Sequence, residues 1–181
     1  MPDHRKAIIT NFATWTALSA LRSGSRVKSR DLIYPLLREA GFERLLEASP
    51  GSITSAFFAD WHVTTVAQFR DARPELCVGW AAKLINVYLK TAVYVGGLGP
   101  PELIARLHPP IDGGLWRGLE TPLKSRPAIR ERTHCVQRIS QIVDYGTYST
   151  IVGGCRDLAS ELGCHLIEVE QFWAGAAAPS A

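Results

Sequence analysis

The stretch "GWAAKLINVYLKTAVYV", Gly79 to Val95, decides the fold class. Wound at about 100° per residue, it places Lys83, Asn86, Lys90 and Tyr94 along one narrow stripe. Leu84, Ile85, Tyr88, Leu89, Ala92 and Val95 take most of the remaining circumference. A surface helix carries an apolar stripe on a polar background, and this one is the inverse. Such a helix belongs in the middle of a helical protein. Its polar stripe then meets either a strip of solvent or the wall of a cleft. In the first case the lysines snorkel to water. In the second, burial lowers the pKa of Lys83, and the charge of Lys90 lowers it further. A neutral amine at such a place is a nucleophile.

Working outward, the period remains helical nearly throughout. A first helix is predicted from about Lys6 to Arg22, with Ile8, Ile9, Phe12, Trp15 and Leu18 on one side. Ser29 caps "RDLIYPLLREA", which Pro35 bends or shortens and Gly41 ends. "FERLLEA" is a short helix, and Ser52 to Trp61 and "TTVAQFRDA" are two more. "RPELCVG" is the turn into the long helix, and "GGLGPP" is the break after it. Prolines then open "PELIARLH". Helices are predicted over Ile129–Ile142 and Asp144–Leu162, with Gly153 and Gly154 allowing close packing or a kink, and "HLIEVEQFWAG" closes the chain. Strand alternation is nearly absent. The expectation is all-α, a compact multi-helix globule with one helical domain over 1–174 and a flexible tail over 175–181.

Composition fits that class. The 181 residues are 46% hydrophobic and 20% charged, enough for one well-buried domain. The net charge of +3 permits a nucleic-acid partner without demanding one. Two basic clusters stand out: Arg22, Arg26, Lys28 and Arg30, then Lys124, Arg126, Arg130, Arg132 and Arg138. Phosphate-binding surfaces look like this, and so do solvated helix faces. "MPDHRKAII" has no apolar core of a signal peptide, and no apolar run is long enough to span a bilayer, so a cytoplasmic protein without membrane contact is expected. Cys77, Cys135, Cys155 and Cys164 lack metal-site spacing. No metal and no cofactor is expected.

One stretch breaks the helical pattern in a chemically pointed way: "HPPIDGGLW", His108 to Trp116. Two prolines and two glycines frame a single acid, Asp112. The prolines hold the carboxylate without the cost of ordering a flexible loop. Asp112 also stands where an N-cap would, and capping alone accounts for an aspartate there. It does not account for the lysine upstream.

A helix-borne lysine in "VGWAAK", followed by Pro110-Ile111-Asp112 leading into a helix, resembles the catalytic region of the helix-hairpin-helix DNA glycosylase superfamily. Within it the pattern is most similar to the 8-oxoguanine glycosylases of the archaeal branch, down to the K-x-x-N of Lys83 and Asn86 and the aromatic Trp116. The resemblance implies an all-α helix-hairpin-helix scaffold and a DNA partner. It implies Lys83 as nucleophile and Asp112 as the carboxylate that stabilises positive charge on the sugar. The family's hairpin reads like L-P-G-V-G. Here "RPELCVG" has Gly79 alone, which implies a remodelled hairpin. The cysteines of the iron–sulfur branch are absent.

A flipped base needs a pocket and aromatic faces. Trp80, Tyr88, Trp116 and Trp173 are candidates, although large aromatics are more often buried for packing in the core than placed in a pocket. Asn86, Lys90 and His108 are candidate substrate or phosphate contacts. Asp144, Tyr145, Arg156, Glu168 and Glu170 read mainly as helix caps and inter-helix ion pairs. The resulting expectation is a base-excision enzyme, with AP lyase chemistry available to the same lysine. The alternatives are a non-catalytic helical DNA- or protein-binding module on the same scaffold, or a helical interaction protein with no nucleic acid involved.

Overall fold

The computed structural model describes residues 4–21 and 24–176. Among these residues there are eight α-helices: α1 (His4–Ala20), α2 (Arg30–Glu39), α3 (Glu43–Leu46), α4 (Ser55–Ala72), α5 (Val78–Leu89), α6 (Gly113–Leu119), α7 (Pro127–Thr133) and α8 (Tyr145–Leu162). Short 3-10 turns join them, and no strand forms among the described residues. The fold is all-α. No helix among these residues is long and apolar enough to cross a membrane.

α5 is the central element, and each of its residues is buried. α1 and α4 pack along it, and α8 closes the far side. The inverse patterning of the long helix therefore has the burial it called for. The helix does not end at Leu89. It continues as a π-helical turn, Lys90–Val95, before Gly97 takes φ +70° and breaks it.

Several element boundaries depart from the periodicity, each for a traceable reason. The two helices read between Ser52 and "TTVAQFRDA" are one, α4, capped by the Thr54 hydroxyl. His62 lies between the two stretches. It is fully buried and hydrogen-bonded, so the inward stripe Phe58, Trp61, His62, Thr65, Val66, Phe69 is continuous. The helix read over Ile129–Ile142 stops at Thr133. Tertiary donors take the carbonyls beyond: Trp116 Nε1 donates to Thr133 O, Cys77 Sγ to Ile139 O and Gly79 N to Ile142 O.

The face of α1 is also corrected. Its buried residues are Ala13, Ala17 and Leu18, so the helix lies close against α5 through small side chains. Ile8, Phe12 and Trp15 point away from the core. Gly153 and Gly154 serve packing, not a kink. A Cβ at Gly154 would stand 2.7 Å from Thr133 Cγ2 of α7. Of the predicted tail, Gly175 and Ala176 belong to a 3-10 turn, and 177–181 lie outside the described residues.

Candidate active site

Lys83 and Asp112 meet. Lys83 Nζ lies 2.9 Å from Asp112 Oδ2, with side chains only 5% and 14% exposed. α5 presents the amine, and the N-cap of α6 presents the carboxylate. Leu107 to Ile111 forms no helix, as two prolines require, and Pro109, Pro110 and Ile111 are buried.

Both oxygens of Asp112 are engaged. Oδ1 accepts from Gly114 N at 2.8 Å and Leu115 N at 3.0 Å, the cap the sequence suggested. It also accepts from Trp173 Nε1 at 3.0 Å. Burial opposes the charge on this carboxyl, but the Lys83 ammonium, the helix N–H groups and the indole outweigh it, and its pKa falls below the ordinary value.

The glycines explain how Trp173 reaches the acid. Gly114 and Gly118 share one face of α6. A Cβ at Gly118 would stand 1.5 Å from Phe172 O, and one at Gly114 would stand 2.4 Å from Trp173 Nε1. The two glycines make a groove in which residues 172–174 lie against the helix.

A cleft of about 780 Å³ opens over the pair. Trp80, Trp116 and Trp173 are in its walls, with Thr16, Ser19 and Ala20 of α1 on one side. Trp80 and Trp116 are mainly core: both are buried, and Trp116 is anchored through Nε1 to Thr133 O. The Lys83 ammonium lies 5.3 Å from the Trp80 ring centre. Trp173 is 41% exposed and lines the cleft. Tyr88 is no part of the cleft. It stacks on Phe42 in the core, ring centres 3.8 Å apart.

Lys90 also lines the cleft, paired with Glu170 at 2.8 Å. Glu170 is the ion-pair partner its sequence position suggested, but it also sits in the cleft wall. Burial raises its pKa, the neighbouring Asp112 charge adds to this, and Lys90 and Lys83 counteract in part. Arg117 and Arg138 complete the charged lining, with no carboxylate partner among the described residues. Four cationic and two acidic side chains thus face one cleft. Of the second basic cluster, Arg126, Arg130 and Arg132 are instead paired with Glu161, Glu120 and Asp157. Of the first, Arg22 lies outside the described residues.

Asn86 and His108 do not line the cleft, which corrects their assignment as substrate contacts. They belong to a buried network on the other side of the Pro109 segment. Asn86 Nδ2 donates to Pro109 O at 3.2 Å and to Tyr148 OH at 2.9 Å, and its Oδ1 faces His62 Nε2 at 3.0 Å. His62 Nδ1 meets Tyr145 OH, and His108 Nδ1 meets Tyr148 OH. Donors and acceptors match with both imidazoles neutral. Burial lowers the His62 pKa to about 4 despite the bond to Asn86. Burial, His62 and Arg156 push His108 down as well. The K-x-x-N spacing therefore grips the loop twice: Lys83 holds Asp112, and Asn86 holds the carbonyl of Pro109. Sequence reasoning missed His62 and Tyr148, which lie far from both residues along the chain, and read Tyr145 with the helix caps and ion pairs where it instead bonds His62. The Gly79 N–H is spent on Ile142 O, and a Cβ there would stand 2.5 Å from Ile139 O. Gly79 serves packing, not anion binding.

No group of three or more His, Cys, Asp or Glu among the described residues could hold a metal ion. Compared with protein-family models, curated proteins and solved structures, the chain matches none.

Proposed function

We propose that this chain is a DNA glycosylase-like base-excision enzyme, with Lys83 as nucleophile and Asp112 as the charge-stabilising carboxylate. The observation that carries the reading is the 2.9 Å contact between a buried amine and a carboxylate, distant in sequence, at a cleft. The volume of about 780 Å³ suits a flipped nucleoside. The excess of cationic side chains in the lining suits the phosphates around it.

The chemistry follows from the pair. As the bond from C1′ to the base breaks, the base leaves with the electron pair and positive charge grows on the sugar. Asp112, held by two backbone N–H groups and an indole, supplies a fixed negative charge beside it. To attack C1′, the Lys83 ammonium must first give up a proton; Asp112 Oδ2, adjacent to it, relays that proton to the departing base, which restores the negative charge on the carboxylate. Nζ then bonds to C1′. Opening of the sugar ring leaves a Schiff base, from which strand cleavage by elimination is available. The exposed face of Trp173 supplies a stacking surface for the base.

A second reading, a non-catalytic helical DNA- or protein-binding module, draws on one observation. Asp112 is already saturated by its cap, Lys83 and Trp173, as a purely structural residue would be. Base release from oligonucleotides carrying a panel of modified bases separates the two. The enzyme releases at least one base, and Asp112→Asn, which keeps the cap, abolishes release without unfolding the protein. DNA affinity with no release across the panel supports the module.

A further inference from the structure

α1 carries an exposed apolar stripe that the core does not use. Ile8, Phe12 and Trp15 are 68%, 52% and 51% exposed. The Phe12 and Trp15 rings lie nearly parallel, centres 5.8 Å apart and planes 22° apart. At 100° per residue the same stripe ends on Ser19. Ser19 lines the cleft, and its Oγ is buried without a hydrogen-bond partner among the described residues. The stripe is therefore continuous with the cleft wall. At a rise of 1.5 Å per residue, Trp15 and Phe12 stand about 6 Å and about 10 Å beyond Ser19 along the helix. Stacked nucleotides repeat at about 3.4 Å, so the two rings fall near the second and third positions out from the cleft.

We propose that Phe12 and Trp15 form a stacking platform for unpaired bases of the nucleic-acid strand that enters the cleft. The proposal rests on the reading of the cleft as a DNA site and adds how the flanking strand is held. Two features favour a nucleic-acid strand over a protein partner. The two exposed rings lie nearly parallel to one another, as stacked rings do, and the stripe leads to a cleft where Arg117 and Arg138 have no carboxylate partner among the described residues. Flat aromatic faces beside unpaired cations are what a single strand binds without regard to sequence.

The test uses the full chain and single-stranded oligonucleotides with 2-aminopurine placed one to four nucleotides from a modified base. Wild type quenches the fluorophore most at the second and third positions on one side. Phe12→Leu and Trp15→Leu keep the apolar character and remove the large faces. Trp15→Leu weakens binding about 10-fold, and the double variant loses the positional quenching. Both side chains are solvent-facing, so the thermal midpoints remain near that of wild type. Equal quenching at every position, or unchanged affinity in the double variant, overturns the proposal. So does sedimentation showing a dimer that Phe12→Ser with Trp15→Ser makes monomeric, since the stripe would then be a self-association surface. Quenching without release of any modified base leaves the platform standing and defeats the catalytic reading.

Discussion

Asp112 carries more bonds than any other acid in the cleft, and its neighbours divide its roles. Asp112→Asn keeps an acceptor for Gly114 and Leu115 and loses the charge facing Lys83. Its thermal midpoint falls, because the buried Lys83 ammonium loses its anion, but the chain still folds while base release disappears, and paired melting and release assays check this. Lys83→Gln instead leaves a half-buried carboxylate without its cation, at a cost of about 3 kcal/mol in a urea titration. Of the site, the contact between Lys83 and Asp112 was legible in the sequence because helical spacing and a proline frame are local signals. The roles of Asn86 and His108 were not, because a polar residue on a buried helix has the same spacing whether it faces a cleft or a network. Only the tertiary partners His62 and Tyr148 decide it. Those partners also set a pH dependence. His62, with a folded pKa of about 4, takes up protons in the unfolded chain first, so stability falls from about pH 6.5 down to about pH 4. Below both values the loss levels off at about 3 kcal/mol for this group. Denaturation midpoints at pH 7 and pH 5 check it, with His62→Gln showing a smaller difference than wild type; an equal difference contradicts the assignment.

At the scale of elements, α6 works as a grooved helix. Its two glycines admit the chain at 172–174, and that approach brings Trp173 to Asp112. Gly118→Ala cannot keep Phe172 O where it is, so the C-terminal segment lifts. The expected result is a loss of about 1–3 kcal/mol, as in other overpacked sites, and greater solvent exposure of Trp173 by fluorescence. An unchanged melting curve and emission maximum contradict the groove. The glycine pair was visible in "IDGGLWRGL", but its purpose was not, because the residue that fills the groove arrives from the other end of the chain. The same limit applies to α1. Periodicity grouped Ile8, Ile9, Phe12, Trp15 and Leu18 on one side, but of these only Ile9 and Leu18 pack on the core, because the helix approaches it through Ala13 and Ala17. Small residues that permit close approach carry almost no hydrophobic signal, whereas Phe12 and Trp15 carry a strong one. α5 was easier, since its long run of large inward side chains leaves fewer choices.

For the molecule as a whole, the distribution of charge matters more than its sum. The net charge is only +3, and Arg126, Arg130 and Arg132 of the second basic cluster are paired with acids. The unpaired Arg117 and Arg138 line the cleft. DNA affinity is expected to fall linearly on a log–log plot against salt, and Arg117→Gln or Arg138→Gln each flattens the slope by about 0.7–0.9. A slope unaffected by either arginine places the phosphates elsewhere. The all-α architecture was legible because α5 states it unaided, and the arrangement of the other helices around it came from tertiary contacts. The most direct measurement is chemical. Incubate the protein with oligonucleotides bearing modified bases and add borohydride, which reduces a Schiff base to a stable amine. The account predicts a covalent protein–DNA adduct whose attachment maps to Lys83 and which Lys83→Gln abolishes. An adduct that persists in Lys83→Gln, or none with any base that the protein demonstrably binds, contradicts it.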